Sequence, residues 1–146
     1  MTSLTGLLGL PVVSRATAED VGALTAAVID IDRRQIVAWQ VGKGRRSAVV
    51  DHAHLSGIGQ AAAMLDDETS LREPTTPDEI DTVKGNRILI GARVLSDTGD
   101  VIGTVADAEV DTGSGAVSII RTSGVDVAAD RLRGFGSYAL VVAAEA

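Results

Sequence analysis

The 146-residue chain contains no cysteine, which excludes a disulfide framework, a thiol nucleophile and every thiolate-bound metal. Aromatic residues are nearly missing too. Trp39, Phe135 and Tyr138 are the whole set, so valine, isoleucine, leucine and alanine must fill the interior. No uncharged apolar run reaches the roughly 18 residues that a membrane-spanning helix needs. The opening MTSLTGLLGLPVV has no basic residue before Arg15 and no small-residue cleavage site. It reads as the first strand of a soluble protein, and a cytoplasmic location is expected. The glycine runs GKGRR and DTGSG match neither a phosphate-binding loop nor a dinucleotide fingerprint, and no serine lies in a nucleophile elbow. No cofactor is expected, and the chain reads as non-enzymatic.

What is present is acidic and unevenly so. The net charge is −7. Residues 66–86 carry seven acidic and two basic side chains and so supply −5 of it. One basic run exists, KGRR, whose Lys43, Arg45 and Arg46 read as a charged hairpin tip that could touch an acidic partner or a phosphate. A single short run is not the basic stripe that neutralises a nucleic-acid backbone, so direct nucleic-acid binding is not expected.

The chain also repeats itself. LSGIGQAAAML from Leu55 returns as LRGFGSYALVV from Leu132. Upstream, residues 9–44 lie over residues 91–124: Gly9 meets Gly91, Val12 meets Val94, Ser14 meets Ser96, Gly22 meets Gly103 and Asp30 meets Asp111. Shared glycines, alternating apolar positions and turn acids are what a shared backbone path requires. In the second copy RILIGARVLS, VIGTVADAEVD, AVSIIRTS, VDVAAD and YALVVA read as short strands, with DTGD, TGSG and RLRGFG as turns. Such spacing, without 3.6-residue periodicity, predicts a small antiparallel barrel. The fold class is therefore all-β: copy 1 over residues 1–65, an acidic linker over 66–86, and copy 2 over 87–146.

The strand pattern SDTGDVIGTVADAEVDTGSGAV, closed by the L-x-G-x-G sequence before a valine-rich strand, resembles the PRC-barrel family, named for the photosynthetic reaction centre. The resemblance covers nearly all of copy 2 and, less sharply, copy 1. It implies two antiparallel PRC-type barrels in tandem, related by duplication, and a role as an adaptor surface. Family members serve so in the reaction-centre H subunit, in the ribosome maturation factor whose barrel pairs with a ribosomal protein, and in archaeal division scaffolds. The fold alone does not choose among such jobs. A basic ribosomal protein is one partner that the acidic balance allows.

The linker DDETSLREPTTPDEIDTVKGN has the composition of an exposed spacer. Its TPDEI also reads as a helix start, with Thr76 as N-cap, Pro77 at the first position and Glu79 closing a capping box.

Three residue groups are candidate sites. In DHAHL, Asp51, His52 and His54 would put both imidazoles on one face if the segment is a strand, a weak divalent-metal candidate lacking a third ligand. A small-ligand or metal sensor is the alternative function that this site would support. Asp107, Glu109 and Asp111 alternate along one strand, as a solvated acidic stripe or a basic-partner contact. The third group is apolar. Copy 1 places Ala26 and Val28 opposite the acids of copy 2, and Val37, Trp39 and Val41 opposite Ser118, Ile120 and Thr122, while Ile36 and Ala38 keep the other face apolar. A strand apolar on both faces is covered on both faces. Barrel 2, a second subunit or a partner could supply that cover, and Trp39 is expected at the contact. The favoured reading is a protein-interaction or scaffold module that binds a protein partner or self-associates into a homo-oligomer.

Overall fold

The computed structural model describes residues 2–42 and 47–144; the Lys43, Arg45 and Arg46 run lies outside them. Strands dominate, in two curled sheets. In the first half these are β2 (Pro11–Ser14), β3 (Asp20–Asp30), β4 (Gln35–Val41), β5 (Ala48–Asp51), β6 (Leu55–Ile58) and β7 (Ala63–Leu65). In the second they are β8 (Arg93–Ser96), β9 (Val101–Val110), β10 (Val117–Thr122), β11 (Asp126–Ala128), β12 (Leu132–Phe135) and β13 (Leu140–Val142). Among the described residues helix is limited to α1 (Leu4–Leu7), α2 (Pro77–Val83) and three-residue 3-10 turns.

The strand order is the same in both sheets: β5-β4-β3-β2-β7-β6 and β11-β10-β9-β8-β13-β12. The one parallel pair of each sheet also corresponds, β2 with β7 and β8 with β13. Four bulges recur at matching positions. The extra residues are Val21 and Ile102, Thr25 and Ala106, Val37 and Ser118, and Ser56 and Arg133. A bulge bends its strand and increases the twist, so repeated bulges curl both sheets alike. Beside the first bulge of each sheet stand Gly22 (φ +144°) and Gly103 (φ +155°). A Cβ there would come within 2.7 Å of Val41 Cγ1 or of Ser123 Oγ. Glycine permits both the dihedral and the approach.

The two sheets share one core. Ile29, Ile36 and Trp39 of the first belong to the same buried cluster as Val110, Val117 and Ile120 of the second. Backbone bonds cross between them, from Ile36 N–H to Gly115 O at 2.8 Å and from Val117 N–H to Arg34 O at 2.9 Å.

Three local expectations are corrected. The N-terminal segment is not simply a strand: β1 (Thr2–Ser3) is a two-residue bridge to β9, α1 buries Leu4 and Leu7, and the first long pairing begins at Pro11. The L-x-G-x-G sequences form strands β6 and β12 rather than turns; the chain reverses after them. DHAHL is not a strand either, because His52–His54 is a 3-10 turn.

Candidate functional site

The apolar candidates of the first half are inside the molecule. Ala26, Val28, Trp39 and Val41 are buried, and Val37 is half-buried. They do not form one face. Trp39 and Val41 enter the shared core together with Ile36, because the bulge at Val37 breaks the alternation that would have sent Ile36 the other way. Val28 joins Ala38 and Val49 in a second cluster on the opposite face, with Val37 and Val83 packed against it.

Val83 belongs to α2, so the segment between the two sheets supplies the cover. The sequence dictates how α2 is held. Thr76 Oγ1 accepts from Glu79 N–H at 3.2 Å and Glu79 Oε1 accepts from Thr76 N–H at 3.3 Å, a complete capping box after which Pro77 starts the helix. Glu79 is itself buried and takes a forked contact from Arg72, at 2.8 and 2.6 Å. The guanidinium reaches Asp51 at 2.6 Å as well. Arg72 therefore holds the Glu79 carboxyl far below the ordinary range, down to about 2, against the opposing cost of burial. The backbone of Arg72 also pairs with β5: Val49 N–H donates to Arg72 O at 2.8 Å and Arg72 N–H to Val49 O at 2.9 Å. One residue thus closes the sheet edge and anchors the helix over the sheet face.

Arg87 fastens the other end of this segment. Only 4% exposed, it donates to Ile29 O at 2.9 Å and Phe135 O at 3.3 Å, lies 4.6 Å over the Phe135 ring and stands 3.6 Å from Asp78. Burial lowers its pKa. Sequence reading passes over Arg72 and Arg87 because their partners are distant backbone carbonyls and the carboxylates of Asp51, Asp78 and Glu79, the last two in a segment that looks like a spacer.

The histidines diverge. His52 is buried and accepts from Trp39 Nε1–H at Nδ1, 3.1 Å away. Indole nitrogen can only donate, so the imidazole proton sits on Nε2 and points to Gly113 O at 3.2 Å. Both ring nitrogens of His52 are engaged, in a link from β4 to the β9–β10 turn. His54 faces outward and stands 3.6 Å from Asp51. Among the described residues no group of three His, Cys, Asp or Glu side chains could hold a metal ion.

The acidic stripe is internally engaged. Asp107 accepts from Thr5 N–H at 3.0 Å and from the Ser3 and Thr5 hydroxyls, fixing the start of α1. Asp111 accepts from Gly113 N–H at 2.8 Å within its own turn. Glu109 meets Arg121 at 3.2 Å, and Arg121 meets Asp126 at 2.7 Å.

Exposed apolar surface lies instead in the second half. Val101 (70% exposed), Tyr138 (71%), Val125 (55%) and Ile88 (36%) are the large apolar side chains left open among the described residues. Val101 and Val125 line a cleft of about 550 Å3 with Ile102 and Arg131. Tyr138 and Ile88 line another, of about 430 Å3, with Phe135 and Arg93, whose guanidinium lies 5.1 Å over the Tyr138 ring and donates to its Oη at 3.0 Å. No helix among the described residues is long and apolar enough to cross a membrane. No protein-family model and no curated protein sequence matches this chain.

Proposed function

We propose that the chain is a non-enzymatic, cytoplasmic protein-interaction module built from two duplicated PRC-type barrels, and that its second half presents the binding surface. The common strand order and the four recurring bulges support the duplication. The observation that carries the functional reading is the distribution of exposed apolar residues. Val101, Val125, Tyr138 and Ile88 all belong to residues 87–146, while the outer apolar face of the first sheet is closed by α2. Exposed apolar side chains gathered around concave surface mark interaction sites more often than singly scattered ones do. Trp39 supports this assignment by exclusion, since a fully buried indole bonded to His52 offers nothing to a partner.

The test is site-specific photo-crosslinking in the producing cell, with the crosslinker at Val101, at Tyr138 or at the exposed first-half residue Glu19. Discrete products from Val101 or Tyr138, and none from Glu19, are expected. Equal labelling from all three positions, or none from the second half, would sink the reading.

A further inference from the structure

The first sheet shows how this fold finishes an edge, and among the described residues the second sheet lacks the finish. In the first, β5 ends the sheet and Val49 exchanges both of its backbone hydrogen bonds with Arg72, as though a one-residue strand had been added. The counterpart of β5 is β11. Trp39 pairs with Val50 and Gln40 with Val49, just as Ile120 pairs with Val127 and Arg121 with Asp126. Asp126 therefore occupies the place of Val49.

The ladder fixes which way its backbone points. Hydrogen-bonded and non-bonded pairs alternate along an antiparallel pair of strands. Thr122 N–H donates to Val125 O at 3.2 Å, so Thr122 and Val125 are a bonded pair and the next one, Arg121 with Asp126, is not. The N–H and C=O of Asp126 thus face away from β10 toward the open edge. Among the described residues nothing pairs with them.

Charge selects the occupant. Across the sheet the row reads Asp107, Arg121, Asp126, acid, base, acid, and Arg121 contacts Asp126 at 2.7 Å and, diagonally, Glu109 at 3.2 Å. The next strand position calls for a base. A second copy of β11 running antiparallel and centred on this residue would set Asp126 against Asp126, and like charges directly opposite destabilise a pair. Just before Asp126 in the chain, Val125 lines the 550 Å3 cleft with Val101. Successive residues of an added strand point to opposite faces, so a segment with a base opposite Asp126 turns its neighbouring side chains to the face of Val125.

Resting on the reading of the chain as an interaction module, we propose that β11 takes up an extended segment of a partner protein with alternating basic and apolar residues. It binds by strand addition at Asp126, as Arg72 binds at Val49. Main-chain bonds supply the grip and alternate side chains supply selection.

The probe is the blocked heptapeptide Thr-Val-Lys-Val-Lys-Val-Thr, titrated into the full chain with amide exchange followed by NMR. Expected are at least tenfold slower exchange at Asp126 N–H on saturation, at least tenfold weaker binding of the same peptide with glutamates for lysines, and loss of binding when the central backbone nitrogens are methylated. Asp126→Lys should reverse the preference between the two peptides, and Asp126→Asn should abolish it. Absence of binding, equal binding of both peptides, or protection away from β11 would overturn the proposal. Crosslinks from Val101 that persist in Asp126→Lys would leave the module reading standing while removing strand addition.

Discussion

Trp39 and Ile120 stand at the same place in two sheets of the same strand order, each fully buried, yet the surroundings of the two sheets differ throughout. Behind the first lies a small apolar cluster sealed by α2, and its edge is closed by Arg72. The second shows the charged group Glu109, Arg121 and Asp126, and among the described residues nothing pairs with its edge at Asp126. The difference teaches that strand order and bulges fix the interior, whereas what covers the outside is set by a few residues between the strands. One strand order, used in both sheets, can then carry one half covered and one half more exposed.

Breaking the shared core from either sheet should cost comparable stability. Trp39→Ala removes the largest buried side chain together with the His52 link, and a loss of about 3–5 kcal/mol is expected. Ile120→Ala should cost about 2–5 kcal/mol. Urea titrations of both variants check this; a Trp39→Ala loss below that of a surface substitution would place the indole outside the core.

Breaking the covers should separate the halves. Glu79→Ala leaves Arg72 without its buried partner, and about 3 kcal/mol is expected to be lost. Glu109→Ala, which removes a partner from the more exposed Arg121, should cost under about 1 kcal/mol. The acid limb sharpens the contrast. The Glu79 carboxyl is held down to about 2 from an ordinary 4.5. Its contribution is therefore complete above the unfolded value and is lost as pH falls from 4.5 toward 2. Glu79→Gln should flatten that part of the stability curve, measured by denaturation at intervals between pH 6 and pH 2.

Smaller effects follow the same division. Thr76→Ala removes the N-cap of α2 and should cost about 1 kcal/mol, seen as a lower thermal midpoint. Asp126→Asn, on the open edge, should stay within about 0.5 kcal/mol of the parent; a larger loss would make Asp126 a structural residue.

Much of the β architecture is legible in the sequence, because glycine turns and alternating apolar residues mark most strands directly. Residues 101–110 and 117–122 are strands as their pattern predicts. Thr76, Pro77 and Glu79 announce α2 by a local rule and form the full capping box. That both faces of β4 are apolar is legible too, but alternation groups Val28 with Trp39 and Val41, whereas Val28 packs with Ala38 and Val49 under a cover. The source of that cover is not legible, because Val83 lies in a segment whose composition suits a spacer. Alternation fails at Val37, where a bulge places Ile36 and Trp39 in one core. It fails again at His52, where a 3-10 turn replaces the strand that would have aligned the imidazoles. The edges leave the least trace. Arg72 closes β5 through backbone atoms, which carry no side-chain signature, and the open counterpart at Asp126 emerges only from the ladder's phase.

Native-state amide exchange of the free chain tests the contrast between the two edges most directly. The account predicts slow exchange at Val49, Arg72 and Val127, whose N–H groups are paired, and fast exchange at Asp126. Protection of Asp126 in the free chain, or rapid exchange at Arg72, would contradict it.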